Sequence, residues 1–336
     1  MNKKGSGALP GVLMVMLSAL LFSGKAVLAK LVYRQVDMSV SQLLVLRMFF
    51  SLPFYMAMLV WQWRKHQRQK LEQPQAATSF FPAKYLAATA VLGLLGYYIS
   101  SYLDFLGLKF ISAGLERVIL FSYPTFVVLF SALLFRTKIL RHQLVALLLS
   151  YTGIGIAFSA DMHFTTGPEL WKGTACIVGC AITFSLYVLY SGKYVPKVGV
   201  GLFTAVAMLF ATAAIFVHFL LTGNSVGQLF RFSGHVYLLM LLMAILTTVV
   251  PSFLVSAGLQ RVGSANVAII SSIGPMITIA QAWYFLDEPF GWLQALGTVL
   301  VVAGVLLVSR KATKTEPTAN SSAEIPPRQY NERVDV

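Results

Sequence analysis

Four ionisable side chains stand among apolar runs of this chain, where charge is costly: Lys25, Arg47, Asp104 and Glu116. Each lies in, or at the end of, a run of roughly 20 apolar residues, enough to cross a ~30 Å hydrocarbon core as a helix. A charge at the bilayer centre costs ~2.5–3.5 kcal/mol on insertion scales, so it persists where it has a partner or a role. Counting ~1.5 Å per residue from the outer end of each run places Lys25 about 10 Å deep, Arg47 about 14 Å and Glu116 about 5 Å. Asp104 falls near the outer boundary, so the four share one layer. Two readings are open. In one, Lys25 and Arg47 bind the anionic group of a small organic substrate, and Glu116, a carboxyl that can exist charged or neutral, couples transport to protons. In the other, the two bases pair with Asp104 and Glu116 and hold helices together.

Uncharged side chains could complete such a site. Tyr98 and Tyr102 are four apart and share a helix face, and Tyr187 lies in a later run. Their rings and hydroxyls suit a cavity for an organic body, or they pack as core. Asn266 and Gln281 either face the same substrate or bond to neighbouring helices. Trp283 and Tyr284 sit where an interfacial belt belongs. Pro124, Pro251 and Pro275 each remove a backbone donor, and Pro124 with Pro275 are the candidate hinges. Gly297 and Gly304, seven apart, mark a closely packed face, within one chain or between two copies.

Other chemistry is excluded by what the sequence lacks. There is no GxxxxGK[ST] phosphate loop, no HExxH and no Gly-x-Ser-x-Gly elbow. The five histidines, His66, His142, His163, His218 and His235, fall in loops or at span ends, leaving no imidazole base at membrane depth. Cys176 and Cys180 are four apart on one helix, poor geometry for a disulfide, and read as buried thiols. The expectation is a protein that is not an enzyme and has neither cofactor nor metal.

The elements that must position these residues are ten apolar runs: 9–32, 38–61, 85–104, 113–135, 141–159, 172–192, 200–221, 235–255, 264–285 and 290–309. The chain is 57% hydrophobic with mean hydropathy +0.74, which suits an all-α integral membrane protein. Lipid offers the backbone no hydrogen bonds, so such runs span as helices. The last five runs repeat the first five. Moving 151 positions along carries Gly107-Leu108 onto Gly258-Leu259, Pro124 onto Pro275, Gln143 onto Gln294 and Gly153 onto Gly304. A step of 162 carries Phe22-Ser23 onto Phe184-Ser185. Five being odd, the expected architecture is ten transmembrane helices in two inverted five-helix repeats, 9–159 and 172–309, with the site between them. Residues 64–84 form a basic loop and 312–336 a disordered cytoplasmic tail, and no extramembrane stretch is long enough for a domain.

The net charge of +14 is a topology signal, not a nucleic-acid footprint. With the N-terminus inside, Lys and Arg on inner segments outnumber those outside by roughly three to one. Both termini are then cytoplasmic. Lys3 and Lys4 before an apolar run suggest a signal peptide, but that run continues past Lys25 to Leu31 and reads as a retained helix.

At these residues the chain resembles a known family. SALLFSGKAVLAKLV, VLRMFF, GLKFISAG, YPTFVVLFSALLF and the stretch GLQRVGSANVAIISSIGPMITIAQAWYFLDEPFGWLQALGTVLVVAGVLLV are similar to EamA-type drug/metabolite transporters. The resemblance covers nearly all of residues 10–309. It implies ten helices in two EamA repeats, a bacterial inner-membrane location, and export or exchange of small metabolites such as amino acids. The family's Lys near the end of the first helix and its Arg in the second match Lys30 and Arg47. The chain departs from the pattern at Arg136-Thr137-Lys138, where the second half has Asp287-Glu288-Pro289, and at Phe22-Ser23-Gly24.

The function expected is a secondary transporter of small organic metabolites working by alternating access. The expected partners are that metabolite and membrane lipid, with a homodimer compatible and nucleic acid excluded. A lipid scramblase or channel would need a continuous polar stripe, which the runs do not show. A membrane sensor would need a soluble output segment, and the tail is a poor candidate.

Overall fold

The computed structural model describes residues 8–72, 80–136, 138–162, 167–271, 273–289 and 291–312, among which there is no strand. The expected tail at 313–336 and His163 lie outside the described residues. The first half contains α1 (Ala8–Gln35), α2 (Val40–Glu72), α3 (Ala83–Gly93), α4 (Ser100–Gly107), α5 (Ala113–Leu120), α6 (Tyr123–Phe135) and α7 (Arg141–Asp161). The second contains α8 (Pro168–Val198), α9 (Val200–Leu221), α10 (Gly234–Ala244), α11 (Val250–Ser271), α12 (Gly274–Leu286) and α13 (Trp292–Ala312). Among the described residues, eight helical stretches are long and apolar enough to cross a membrane, and α13 adds a shorter apolar helix.

Local chemistry sets several boundaries. Ser39 and Gln42 cap α2 reciprocally: Gln42 N–H donates to Ser39 Oγ at 3.2 Å, and Ser39 N–H to Gln42 Oε1 at 2.9 Å. Ser112 caps α5 by accepting from Leu115 N–H. Pro124 and Pro275 sit in the first turns of α6 and α12, where a missing N–H is harmless. Pro124 thus follows a break at 121–122 within the 113–135 span, and Pro275 opens α12 after the end of α11.

The boundaries of the two halves correspond. α3 and α10, α6 and α12, and α7 and α13 each begin and end 151 positions apart. Turns of π-helix at Leu94–Ile99 and Ile245–Val249 start at the same interval. α6 ends on Arg136 and α12 on Asp287, both left-handed at φ 53°, a conformation uncommon outside glycine. Packing follows the same correspondence. α1 lies against α11 and α12, and α8 against α4 and α6, so each half's first helix docks on the other half. α7 packs on α13, where Gly153 and Gly297 let the backbones approach: a methyl added at either would clash with the other's carbonyl oxygen. The closely packed glycine face is therefore satisfied within one chain. Large apolar side chains such as Leu9, Leu13, Phe49 and Leu221 point outward, as lipid-facing residues do.

Two expectations change. The basic loop expected from residue 64 is helical as far as Glu72, because Lys, Arg, Gln and Glu are good helix formers. The connection expected between 255 and 264 is also helical, within α11. The first half breaks at the corresponding point and restarts on its Ser112 cap, whereas the second half has Gly263 there and no proline until Pro275.

Candidate functional site: a buried charged layer

Lys25 projects from α1, Arg47 from α2, Asp104 from α4, and Glu116 and Arg117 from α5; all five are at most 8% exposed. Lys25 Nζ lies 2.5 Å from Asp104 Oδ2. Both cations lie over the Phe105 ring, Lys25 Nζ 5.7 Å and the Arg47 guanidinium carbon 4.9 Å from its centroid. Arg47 Nη2 donates to Ser101 Oγ at 3.2 Å, while its Nε has no partner among the described residues. The Asp104 and Glu116 carboxyls lie within hydrogen-bonding reach of each other. Carboxylates only accept, so Asp104 Oδ1 and both Glu116 oxygens are left without a donor.

Arg117, next to Glu116 in α5, is buried as well. Its Nε donates to Thr278 Oγ1 at 3.0 Å and its Nη2 to the Phe22 carbonyl at 3.1 Å. It thereby ties α5 to α12 and α1. Helix spacing alone carries no signal for this: one step beyond Glu116 turns the side chain off the Glu116 face, and the docking of α5 on α12 decides what it meets.

The tyrosines form two groups. Tyr187 O–H and Tyr97 O–H are hydrogen-bonded at 2.8 Å, joining α8 to the first π-helical turn. Gly96 is required there, because a methyl would collide with the Tyr187 ring. Tyr98 and Tyr102 surround His218 of α9: Tyr98 O–H bonds to Nδ1 at 2.5 Å, and the Tyr102 ring centroid is 4.9 Å from the imidazole. The sequence dismissed His218 as a residue at a span end, yet within α9 its ring faces α4 and the adjoining π turn. Gln281 donates to the Leu20 carbonyl, and its Oε1 is buried without a donor near Gly24, beside Lys25. Asn266 lies on α11, and its side chain is outside the described residues. Trp283 and Tyr284 are exposed, as belt residues would be. Cys176 and Cys180 are free thiols; Cys180 is buried against Ser100, and Cys176 is partly exposed.

At the end of the bundle where α1 stops, Lys30 Nζ pairs with Glu288 Oε1 at 3.0 Å. Arg34 Nη2 donates to the Leu286 carbonyl at 2.6 Å. A cavity of about 340 Å³ opens beside them, lined in part by Lys30, Arg34, Asp37 and Lys109. Among the described residues no group of His, Cys, Asp and Glu has the arrangement of a metal site.

With that geometry established, comparison with known proteins decides the family. The EamA-like transporter family model matches residues 9–159 and again 171–310. The chain belongs to the EamA-like transporter family. An uncharacterized transporter of Bacillus subtilis, YcbK, is 30% identical over 236 residues, 67% of this chain and 73% of its own. An uncharacterized transporter of Archaeoglobus fulgidus is 22% identical over 302 residues, 89% of this chain and 97% of its own. One crystal structure superposes with TM-score 0.61 at 17% identity, over 91% of this chain and 99% of that one, a likeness of fold. This EamA chain is thus a multi-pass membrane protein of the transporter class, and its family and relatives indicate transport rather than enzymatic chemistry.

Proposed function

We propose that the protein is a secondary transporter that exports or exchanges small organic metabolites, such as amino acids, by alternating access. Ten transmembrane helices form two inverted five-helix repeats, 9–159 and 172–309, in a bacterial inner membrane, with both termini and the 312–336 tail cytoplasmic. Substrate binds between the halves. Lys25 and Arg47 attract its carboxylate or other anionic group; Tyr98, Tyr102 and Tyr187 contact its body; Asn266 and Gln281 supply polar contacts. Glu116 carries the coupling proton, and Pro124 and Pro275 are the hinges about which the halves rock. The protein acts alone or as a homodimer.

One observation carries this reading: a buried layer mixes three cations with two carboxyls and leaves four polar atoms, Arg47 Nε, Asp104 Oδ1 and both Glu116 oxygens, without a partner among the described residues. A layer serving only to hold helices would be expected to satisfy its members, because unpaired polar groups in hydrocarbon cost several kcal/mol. The repeat supports the reading too. The positions equivalent to Lys25, Arg47, Asp104 and Glu116 are Tyr187, Leu209, Val255 and Val267, none of them charged.

The test is thermal stability of the purified protein against amino acids, nucleotides, sugars and organic acids. A ligand at 100 times its Kd stabilises by ~2.7 kcal/mol. The expected hit carries an anionic group and is lost in Arg47→Gln. A hit indifferent to Arg47→Gln and Lys25→Gln would return those charges to a structural role.

A further inference from the structure

The Lys25–Asp104 pair explains one oxygen of Asp104 and leaves the other without a donor, with a second carboxyl, that of Glu116, within hydrogen-bonding reach of the residue. Among the described residues no donor reaches Asp104 Oδ1, Glu116 Oε1 or Glu116 Oε2, and the two residues are 1% and 0% exposed. Two ionised carboxylates so placed repel and cannot hydrogen-bond. One proton resolves this: a carboxylic O–H on Glu116 donates to Asp104 Oδ1 while Lys25 holds Oδ2. We propose that Asp104 and Glu116 form a dyad sharing a single proton, with Lys25 as the counter-ion of the ionised partner.

The dyad's position gives it a consequence. Asp104 is in the last turn of α4 and Glu116 in the first turn of α5, on either side of the Leu108–Ser112 bend. A shared proton fastens the two helices across that bend; its loss sets two carboxylates against each other and drives them apart. The charged and titratable groups around the dyad come from four helices: Lys25 and Tyr33 on α1, Arg47 on α2, Arg117 on α5 itself and Cys180 on α8. The three cations, two of which have hydrogen-bond partners outside the dyad, Ser101 for Arg47 and Thr278 with the Phe22 carbonyl for Arg117, hold the first negative charge. This assignment rests on the proton-coupling reading above and deepens it, making the coupling unit a pair instead of Glu116 alone.

Infrared spectroscopy of the purified full-length protein in nanodiscs tests the dyad without any substrate. The expected spectrum contains one buried carboxylic C=O band that shifts in D2O and titrates away in a single one-proton step. The band disappears in Glu116→Gln. It also disappears in Asp104→Asn, because Glu116 then ionises to pair with Lys25. Absence of the band in the unmodified protein would overturn the dyad, and that outcome does not depend on a variant folding. A band unchanged in correctly folded Asp104→Asn would overturn it as well, assigning the proton to Glu116 alone. A dyad band in a protein whose transport ignores protons would leave the dyad standing and remove the coupling reading.

Discussion

Glu288 Oε1 lies 3.0 Å from Lys30 Nζ, and Glu288 Oε2 accepts from Ala113 N–H at 3.0 Å. One carboxylate from the turn after α12 thus holds α1 by its charge and caps α5 by its lone pairs, clasping the two halves where α1 ends. The positions equivalent to Lys30 and Glu288 are Gly192 and Thr137, so the sequence cannot build the same clasp at the corresponding place in the other half. An anion at a helix N-terminus contributes up to ~2 kcal/mol in partly buried geometry.

Glu288→Gln removes the charge while keeping the shape. Amide exchange at Ala113 and Gly114 should accelerate about tenfold, the equivalent of ~1.4 kcal/mol. Hydrogen exchange read by mass spectrometry on peptides spanning 108–120 checks this. An unchanged rate would show that Glu288 is not what holds the first turn of α5.

Lys25→Met leaves Asp104 buried without its counter-ion, and breaking such a pair costs ~3–5 kcal/mol. A large drop in thermal stability is expected. Adding Asp104→Leu should recover most of it, since a buried pair replaced by apolar residues is often neutral in stability. The double variant should nevertheless not transport. Recovery of both stability and activity would mean that the pair is only a fastening.

At the α7–α13 contact, Gly297→Val forces a side chain into the backbone around Gly153 and should destabilise by ~1–3 kcal/mol. Gly155, on α7 with Gly153, has open space where a Cβ would stand, so Gly155→Ala should be neutral or stabilising by ~0.5–1 kcal/mol. Parallel thermal melts compare them. Equal effects would contradict the assignment of Gly153 and Gly297 to the contact.

Much of this architecture was legible in sequence because lipid imposes length and apolarity on every span, and because the 151-residue repeat preserves Pro124 with Pro275 and Gly153 with Gly304. The layer was legible for the same reason: Lys25, Arg47, Asp104 and Glu116 stand out against hydrocarbon. What the spacing could not give was direction. Arg117 and His218 looked peripheral by distance from a span end, and only the docking of α5 on α12 and of α9 beside α4 and the first π turn turns them inward. Arg136 and Asp287 gave no warning of their matched left-handed backbone, since neither is glycine. The π-helical turns were equally silent, one being LLGYYI and the other ILTTV.

Pro124→Ala with Pro275→Ala would let α5 run into α6 and straighten the corresponding step before α12, adding back two backbone donors. Membrane insertion and expression should be unchanged while exchange slows. Measured as tracer exchange in vesicles, an unaltered rate would remove both prolines as hinges.

The most direct measurement of the central claim is proton movement in proteoliposomes. With the ligand found by thermal stability supplied on one side, interior pH should change with substrate flux in the unmodified protein. Glu116→Gln should abolish that change while one-for-one substrate exchange continues. Substrate flux without any pH change, or a pH change that survives in Glu116→Gln, would contradict a transport cycle coupled through the buried layer.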